Sequence, residues 1–267
     1  MKEGNYMEKH HQESIDNFVN DYKNVTSVLA ILLGGSLAHG FAMKNSDIDL
    51  LIIVDKESYE YRKKENKLTF CNFSHCTYED GYIDCKCIDY NFLKLVAQKG
   101  SDAARYAFKD AKILFSRRDD LSEILRDIER YPLSKKEDRI KRFAAQLLAW
   151  KWYYSEAVKK QNTYLMYLAI QKSVLFGTRL ILTINELLYP YHKWMLRVLE
   201  KAQNKPDNII ERINDLYANH SIEKVNSFCD DLFSFANLDQ NDFDWGNYFL
   251  KDNELNWIEH EPPIDDL

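Results

Sequence analysis

The sequence predicts an α+β protein of two domains: a small mixed β-sheet domain over residues 1–131 and an all-α helical bundle over residues 132–267. Three observations carry this. The first half alternates short apolar runs with stretches of helical spacing, the pattern of strands interleaved with helices. After Pro132 the strand-like alternation disappears, and residues 136–160 and 164–188 carry apolar side chains at helical spacing instead. A chain of 267 residues with 45% hydrophobic content is long enough to fill two ordinary cores.

In chain order, strands are expected over Val28–Leu33 (VLAILL), Ile48–Val54 (IDLLIIV), residues 82–88 (YIDCKCI) and a short 112–115 (KILF), each an apolar or alternating run bounded by polar or turn-forming residues. Between them lie helices near 57–65, 92–98 and 103–110, and a polar loop over 71–81. In the second domain Pro190 is expected to end the second long helix, and Pro206 suits the first turn of another, where its missing N–H would be unpaired anyway.

Composition narrows the class. The first fourteen residues hold no apolar run, and the most apolar later stretch, 173–188, is interrupted by Arg179, Asn185 and Glu186, so neither a signal peptide nor a membrane span is expected. Cys71, Cys76, Cys85, Cys87 and Cys229 form no CxxC pair and no even framework, which points to a reducing, cytoplasmic setting and away from zinc. The net charge of −6 has the wrong sign for a broad grip on a nucleic-acid backbone.

The chemistry concentrates in two segments. Leu32-Leu33-Gly34-Gly35-Ser36 ends the first apolar strand, and ten residues later Asp47-Ile48-Asp49 opens the second. Strand side chains alternate faces, so Asp47 and Asp49 point the same way and Ile48 the other. Two carboxylates on one face make a hard-oxygen site suited to magnesium. Gly34 and Gly35 remove side chains where a triphosphate must approach the backbone, and Ser36 adds a hydroxyl beside the turn's N–H groups. A third acid, Asp84, lies inside the 82–88 strand, with Lys86 on its face to meet phosphate oxygens or balance the acids. Asp89 competes with Asp84 but has the opposite parity, and Asp55, about 20 Å along the strand from Asp49, reads as a cap.

The GGS, ten-residue spacer and DxD arrangement resembles the nucleotidyltransferase fold of the DNA polymerase beta-like superfamily, over roughly residues 25 to 115. That resemblance implies metal binding at Asp47 and Asp49, phosphate contact at Gly35 and Ser36, a third strand acid at Asp84, and in-line attack of an acceptor hydroxyl on the α-phosphorus with pyrophosphate leaving. The expected cofactors are two Mg2+ ions held by Asp47, Asp49 and Asp84, with a nucleoside triphosphate, ATP, as co-substrate. Segments 185–190 and 193–194 resemble the helical domains of antibiotic-modifying members. The expected acceptor is a small hydroxylated molecule, a cationic aminoglycoside-like antibiotic for example; the rivals are a protein or tRNA acceptor and a non-catalytic, antitoxin-like nucleotide-binding module.

Other residues receive plainer readings. His10, His11 and His39 stand isolated, as solvated histidines. The aromatic segment 150–154 (WKWYY) reads as core, and Glu156 as the i,i+4 partner of Lys160. From Asp230 onward eleven acids face one base, a net −10 that leaves +4 on residues 1–229. Because that acidic segment also holds Phe243, Trp245, Tyr248, Phe249 and Trp257, it is expected to pack and to help line a cleft for a polycationic acceptor.

Overall fold

A computed structural model describes residues 7–239, 243–258 and 261. The chain divides into two compact units, Met1–Arg130 and Tyr131–Leu267.

The first unit runs α1 (Lys9–Tyr22), β1 (Val28–Leu33), α2 (Gly35–His39), β2 (Ile48–Val54), α3 (Lys56–Lys64), β3 (Thr69–Asn72), β4 (Ile83–Asp89), α4 (Tyr90–Lys99), α5 (Asp102–Tyr106), β5 (Lys112–Ser116) and α6 (Leu121–Glu129). Its five strands form one mixed sheet in the order β3-β4-β2-β1-β5, with β2 and β4 parallel and the other neighbours antiparallel. Alternation sends side chains to two cores. Ile31 and Leu33 of β1, Ile48, Leu50 and Ile52 of β2, and Ile83, Cys85 and Cys87 of β4 pack with Ile15 and Phe18 of α1. On the opposite face Leu32 and Ile53 pack with Leu93 and Val96 of α4 and Leu125 and Ile128 of α6. The latter face is apolar only toward the ends of β2 and β4; their first residues on it are Asp49 and Asp84.

Two elements depart from expectation here. β3 occupies part of the stretch read as a polar loop; four residues are too few to show a period, and only its pairing with β4 makes Thr69–Asn72 a strand. Helix α1 had no apolar run to announce it, because the stripe it buries is His11, Ser14, Ile15 and Phe18, half of it polar. Asp55 is the expected cap, accepting from Ser58 N–H at 2.8 Å, and Asp89 caps α4 in the same way through Phe92 N–H at 2.7 Å.

The second unit is helical: a 3-10 turn (Leu133–Lys135), then α7 (Lys136–Lys159), α8 (Thr163–Ile184), α9 (Met195–Lys201), α10 (Ile209–Ala218), α11 (Ile222–Phe235), α12 (Trp245–Phe249) and a π turn (Leu250–Glu254). Helix α8 is long and apolar enough to cross a membrane by composition. Here its Ala169, Ile170, Val174, Leu180 and Ile181 build the bundle core with Leu147 and Tyr154 of α7 and Phe228 and Leu232 of α11. It ends at Ile184, before Pro190, because Glu186 turns left-handed (φ 58°) and Leu187 N–H and Glu186 N–H return to the carbonyls of Leu182 and Thr183. Pro206 lies ahead of α10 and outside its first turn. Tyr154 of the aromatic segment is buried and Trp150 and Tyr153 pack on the core, but Trp152 is exposed. Glu156 meets Lys160 at 3.8 Å and Lys159 more closely, at 2.8 Å.

Of the acidic segment, Asp242, Glu259, Asp265 and Asp266 lie outside the described residues. Asp231 pairs with Arg212 at 2.7 Å, Asp230 with Lys151 and Asp252 with Arg142, while Asp244 caps α12 through Asn247 N–H. These four carboxylates are taken up by the bundle itself. Phe243 packs on Phe233 and Phe249 on Tyr153, whereas Trp257 is exposed.

Candidate active site

At the end of β1 the chain turns through Gly34 into α2, and Gly34 N–H donates to the Asp49 carbonyl at 2.9 Å, tying the turn to the start of β2. The two glycines then differ. Gly34 has ordinary extended backbone, and a Cβ there would meet nothing closer than Leu51 Cδ1 at 3.6 Å. Gly35 has φ +60°, and a Cβ on it would lie 1.7 Å from Asp49 Oδ2 and 2.4 Å from its Cγ. The Asp49 carboxylate occupies the space a side chain would take, so these two residues require each other. Next in the chain, the Ser36 hydroxyl is buried with no hydrogen-bond partner, a donor without an acceptor in a place where that is costly.

The loop into β2 is held from a distance. His11 Nε2 lies 3.1 Å from the Ser46 carbonyl, Tyr78 Oη donates to the same oxygen at 2.8 Å, and His10 Nε2 lies 2.9 Å from the Lys44 carbonyl. Glu8 N–H donates to His11 Nδ1 at 3.3 Å, so the ring is the neutral tautomer that donates from Nε2. Burial, with the neighbouring His10 charge, lowers the His11 pKa below its ordinary value, in agreement with that assignment. Neither histidine is the isolated, solvated residue that the sequence suggested: both face α1's partners and anchor the loop that delivers Asp47.

Asp47 stands just before β2 and accepts from Tyr82 Oη at 3.2 Å. Asp49 is directly across from Asp84 in the parallel β2–β4 ladder, on the face away from Cys85 and Cys87. Lys86, two residues along, sets its ammonium 3.1 Å from Asp84 Oδ2 and 3.9 Å from Asp49 Oδ1. Partial burial works to lower the Lys86 pKa, but the hydrogen bond to Asp84 and the charges of Asp84, Asp49 and Asp47 outweigh it, and the net shift is upward. Of the two roles the sequence offered Lys86, the geometry displays charge balance.

Among the described residues no three His, Cys, Asp or Glu side chains are drawn together as a metal cage: Asp47 is turned to Tyr82, while Asp49 and Asp84 share Lys86. The donor set itself suits a hard cation. It consists of carboxylate oxygens only, Asp49 and Asp84 adjacent on one sheet face and Asp47 two residues before Asp49.

His39 departs from its expected solvated state. Its side chain is only 4% exposed and lies 3.4 Å from Asp110 Oδ2, with its ring 4.7 Å from that of Tyr106. The hydrogen bond from His39 is the main cause holding the Asp110 carboxyl below its usual range. The five cysteines are free thiols, and burial pushes Cys85 and Cys87 up, as small core residues. Tyr82 was legible as a site neighbour by parity with Asp84 and Lys86. Tyr78, His10 and His11 carried no such signal, since each acts through a backbone carbonyl far away in sequence.

Residues 14–146 match the family model of the nucleotidyltransferase domain. No curated protein matches the sequence. Among solved structures, a nucleotidyltransferase-like protein from Exiguobacterium sibiricum superposes with a TM-score of 0.50 at 12% identity, over 96% of this chain and 83% of that one, a likeness of fold. A spectinomycin adenyltransferase from Enterococcus faecialis, solved with ATP and spectinomycin, gives a TM-score of 0.36 at 17% identity, over 85% of this chain and 99% of that one.

Proposed function

We propose, from the match of residues 14–146 to the nucleotidyltransferase domain, that the chain is a nucleotidyltransferase of the DNA polymerase beta-like superfamily that moves a nucleoside monophosphate, AMP from ATP, onto a hydroxyl of a small acceptor and releases pyrophosphate. The observation that carries this reading is the interlock of Gly35 with Asp49 beside the buried, unpartnered hydroxyl of Ser36. It brings a backbone turn with donors for phosphate against a carboxylate suited to a cation.

In this reading the Gly34–Ser36 turn offers N–H groups, and Ser36 its hydroxyl, to the triphosphate oxygens. Asp47, Asp49 and Asp84 would hold magnesium. When bound, two such ions would supply charge neutralisation at the phosphates and a lowered pKa at the attacking hydroxyl. Asp84 takes the acceptor proton; the acceptor oxygen bonds to the α-phosphorus, and the bond from that phosphorus to the α–β bridging oxygen breaks, with its electron pair leaving on pyrophosphate. Lys86, held charged beside Asp84, balances the negative charge of the acids.

Residues 1–131 serve as the catalytic domain and 132–267 as the acceptor-binding domain. The overall charge of −6 supports a small hydroxylated acceptor over a polynucleotide, and aminoglycoside-like antibiotics are the first class to try. Five free thiols accord with action in the cytoplasm.

The test is pyrophosphate release over a panel of nucleoside triphosphates and aminoalcohol acceptors, with Asp47→Asn and Asp49→Asn as controls. Each variant should keep its fold and lose turnover, because a neutral amide replaces a charged ligand and costs several kcal/mol of barrier. Retention of more than about a tenth of the rate in either would sink the assignment.

A further inference from the structure

The sheet face that carries Asp49 and Asp84 continues onto the edge strand β3. Two ladders align it in rows: Asp49 beside Asp84 beside Cys71, and Leu51 beside Lys86 beside Thr69. One step before these strands pair, Asp47, Tyr82 and Phe73 make a third row. Tyr82 Oη donates to Asp47 Oδ2 at 3.2 Å, and the Tyr82 and Phe73 rings lie 6.1 Å apart. Alternation turns Phe70 toward the core beneath α1 and leaves Thr69 and Cys71 exposed.

Phe73 is 67% exposed. A single exposed phenylalanine is ordinary on a protein surface; this one differs by its place, one row from Asp84 and against a tyrosine bonded to Asp47. A built turn presents it. Asn72 Oδ1 accepts from His75 N–H at 3.1 Å, Cys76 N–H donates to the Phe73 carbonyl at 3.3 Å, and His75 Nε2 lies 2.9 Å from Asp21 Oδ2 of α1. Tyr82 is fixed from its own side: a Cβ on Gly81 would lie 2.6 Å from the Tyr78 ring, so that ring packs on the backbone next to Tyr82 while its hydroxyl holds the Ser46 carbonyl.

On the transferase reading, on which this subsite rests for the role of Asp84, an acceptor comes from one side. In-line transfer sets the attacking oxygen opposite the leaving oxygen across the α-phosphorus. With the triphosphate over the Gly34–Ser36 turn at the end of β1, the sheet order β3-β4-β2-β1 puts Asp84, and then β3, beyond Asp49. An acceptor whose hydroxyl reaches Asp84 therefore spreads its body over β4 and β3. That surface is polar along its length: Lys86 stands at one end, Tyr82 and Phe73 at the other, and Asp84 between them. Aromatic faces attract a cation, and the Lys86 ammonium repels one. We propose that Phe73 and Tyr82 form the acceptor subsite and that the acceptor is a ring-bearing amino alcohol, its ammonium over the two aromatic rings and its reacting hydroxyl at Asp84, two strand residues or about 6–7 Å away. Cation preference then arises within the first unit, without the acidic C-terminal segment.

The experiment titrates the full chain, with magnesium and a non-hydrolysable ATP analogue, with trans-4-aminocyclohexanol, whose amine and hydroxyl stand across one ring. The comparison compounds are the uncharged trans-cyclohexane-1,4-diol and the adjacent-carbon isomer trans-2-aminocyclohexanol. Ligand-observed NMR gives dissociation constants, and pyrophosphate release with ATP gives Michaelis constants. The cross-ring amino alcohol should bind wild type several-fold more tightly than either comparison compound. Phe73→Leu should weaken it about fivefold, the scale of a cation–π contact, while the diol, the nucleotide affinity and the melting temperature stay in place; Phe73→Trp should bind it at least as well as wild type. No detectable binding of the cross-ring amino alcohol, equal binding of the diol, or an unchanged affinity in Phe73→Leu would overturn the subsite. Parallel loss of diol and amino alcohol in Phe73→Leu would show plain apolar contact and overturn it as well. Pyrophosphate release that ignores Phe73→Leu leaves the transferase reading standing without the subsite. The NMR pattern with no release from any acceptor does the reverse.

Discussion

Replacing Gly35 by alanine should disable the site, and the same change one residue earlier should not. At Gly35 the new Cβ would sit 1.7 Å from Asp49 Oδ2, where ordinary contact begins near 3.4 Å, so the carboxylate must retreat by more than an ångström or the turn must unwind. The backbone at φ +60° adds about 1–2 kcal/mol for a residue with a Cβ. A displacement of about 1 Å at a reacting centre is worth roughly a hundredfold in rate. Gly35→Ala should therefore lower magnesium-dependent turnover by about a hundredfold or more, with a stability loss of only about 1–3 kcal/mol. Gly34→Ala, with 3.6 Å of room and normal backbone, should keep stability and metal affinity; any effect there belongs in the Michaelis constant for the triphosphate. Thermal unfolding, calorimetric affinity for a non-hydrolysable ATP analogue and single-turnover pyrophosphate release measure all three quantities. Equal damage from the two alanines, or a Gly35→Ala protein with more than a tenth of normal turnover, would refute the interlock.

Asp84→Asn should retain triphosphate binding while turnover falls by roughly a hundredfold, the scale of lost general-base help; normal single-turnover pyrophosphate release would remove Asp84 from the mechanism. Arg105 is only 5% exposed and donates to the carbonyls of Ala97, Gly100, Asp127, Ile128 and Arg130, at the ends of α4 and α6. Arg105→Met should cost about 3–5 kcal/mol by leaving these acceptors unsatisfied, and a chemical-denaturation loss under about 1 kcal/mol would contradict that account. His11 has a folded pKa below its unfolded value near 6.5, so the folded state binds fewer protons between the two; its contribution is present above about pH 6.5 and lost as pH falls through the lower folded pKa. His11→Gln, which keeps a donor for the Ser46 carbonyl, should flatten the stability-versus-pH slope on that acid side, and an unchanged slope in urea midpoints would assign the titration elsewhere.

The sequence by itself determined what depends on local periodicity. The spans of β1 and β2, the placement of Asp49 against the apolar Ile48, and the inward turn of Cys85 and Cys87 opposite Asp84 all follow from a repeat of two. The loss of strand pattern near residue 132 and the two long helices follow from a repeat of 3.6. Asp55 was legible by position, at a strand end where a following helix needs a cap, whereas Asp89, read as a rival of Asp84, caps α4 in the same way only in the folded chain. Tertiary structure alone decided the rest. That β4 lies parallel beside β2, in the register that sets Asp84 against Asp49 and Lys86 near both, is a pairing between segments about 35 residues apart, which no local period encodes. That Gly34 is tolerant and Gly35 obligatory depends on where the Asp49 side chain falls, and adjacent glycines look alike in a sequence. His10, His11 and Tyr78 act by hydrogen-bonding carbonyls, and a carbonyl is the same at every residue, so only the folded chain shows which one each side chain reaches.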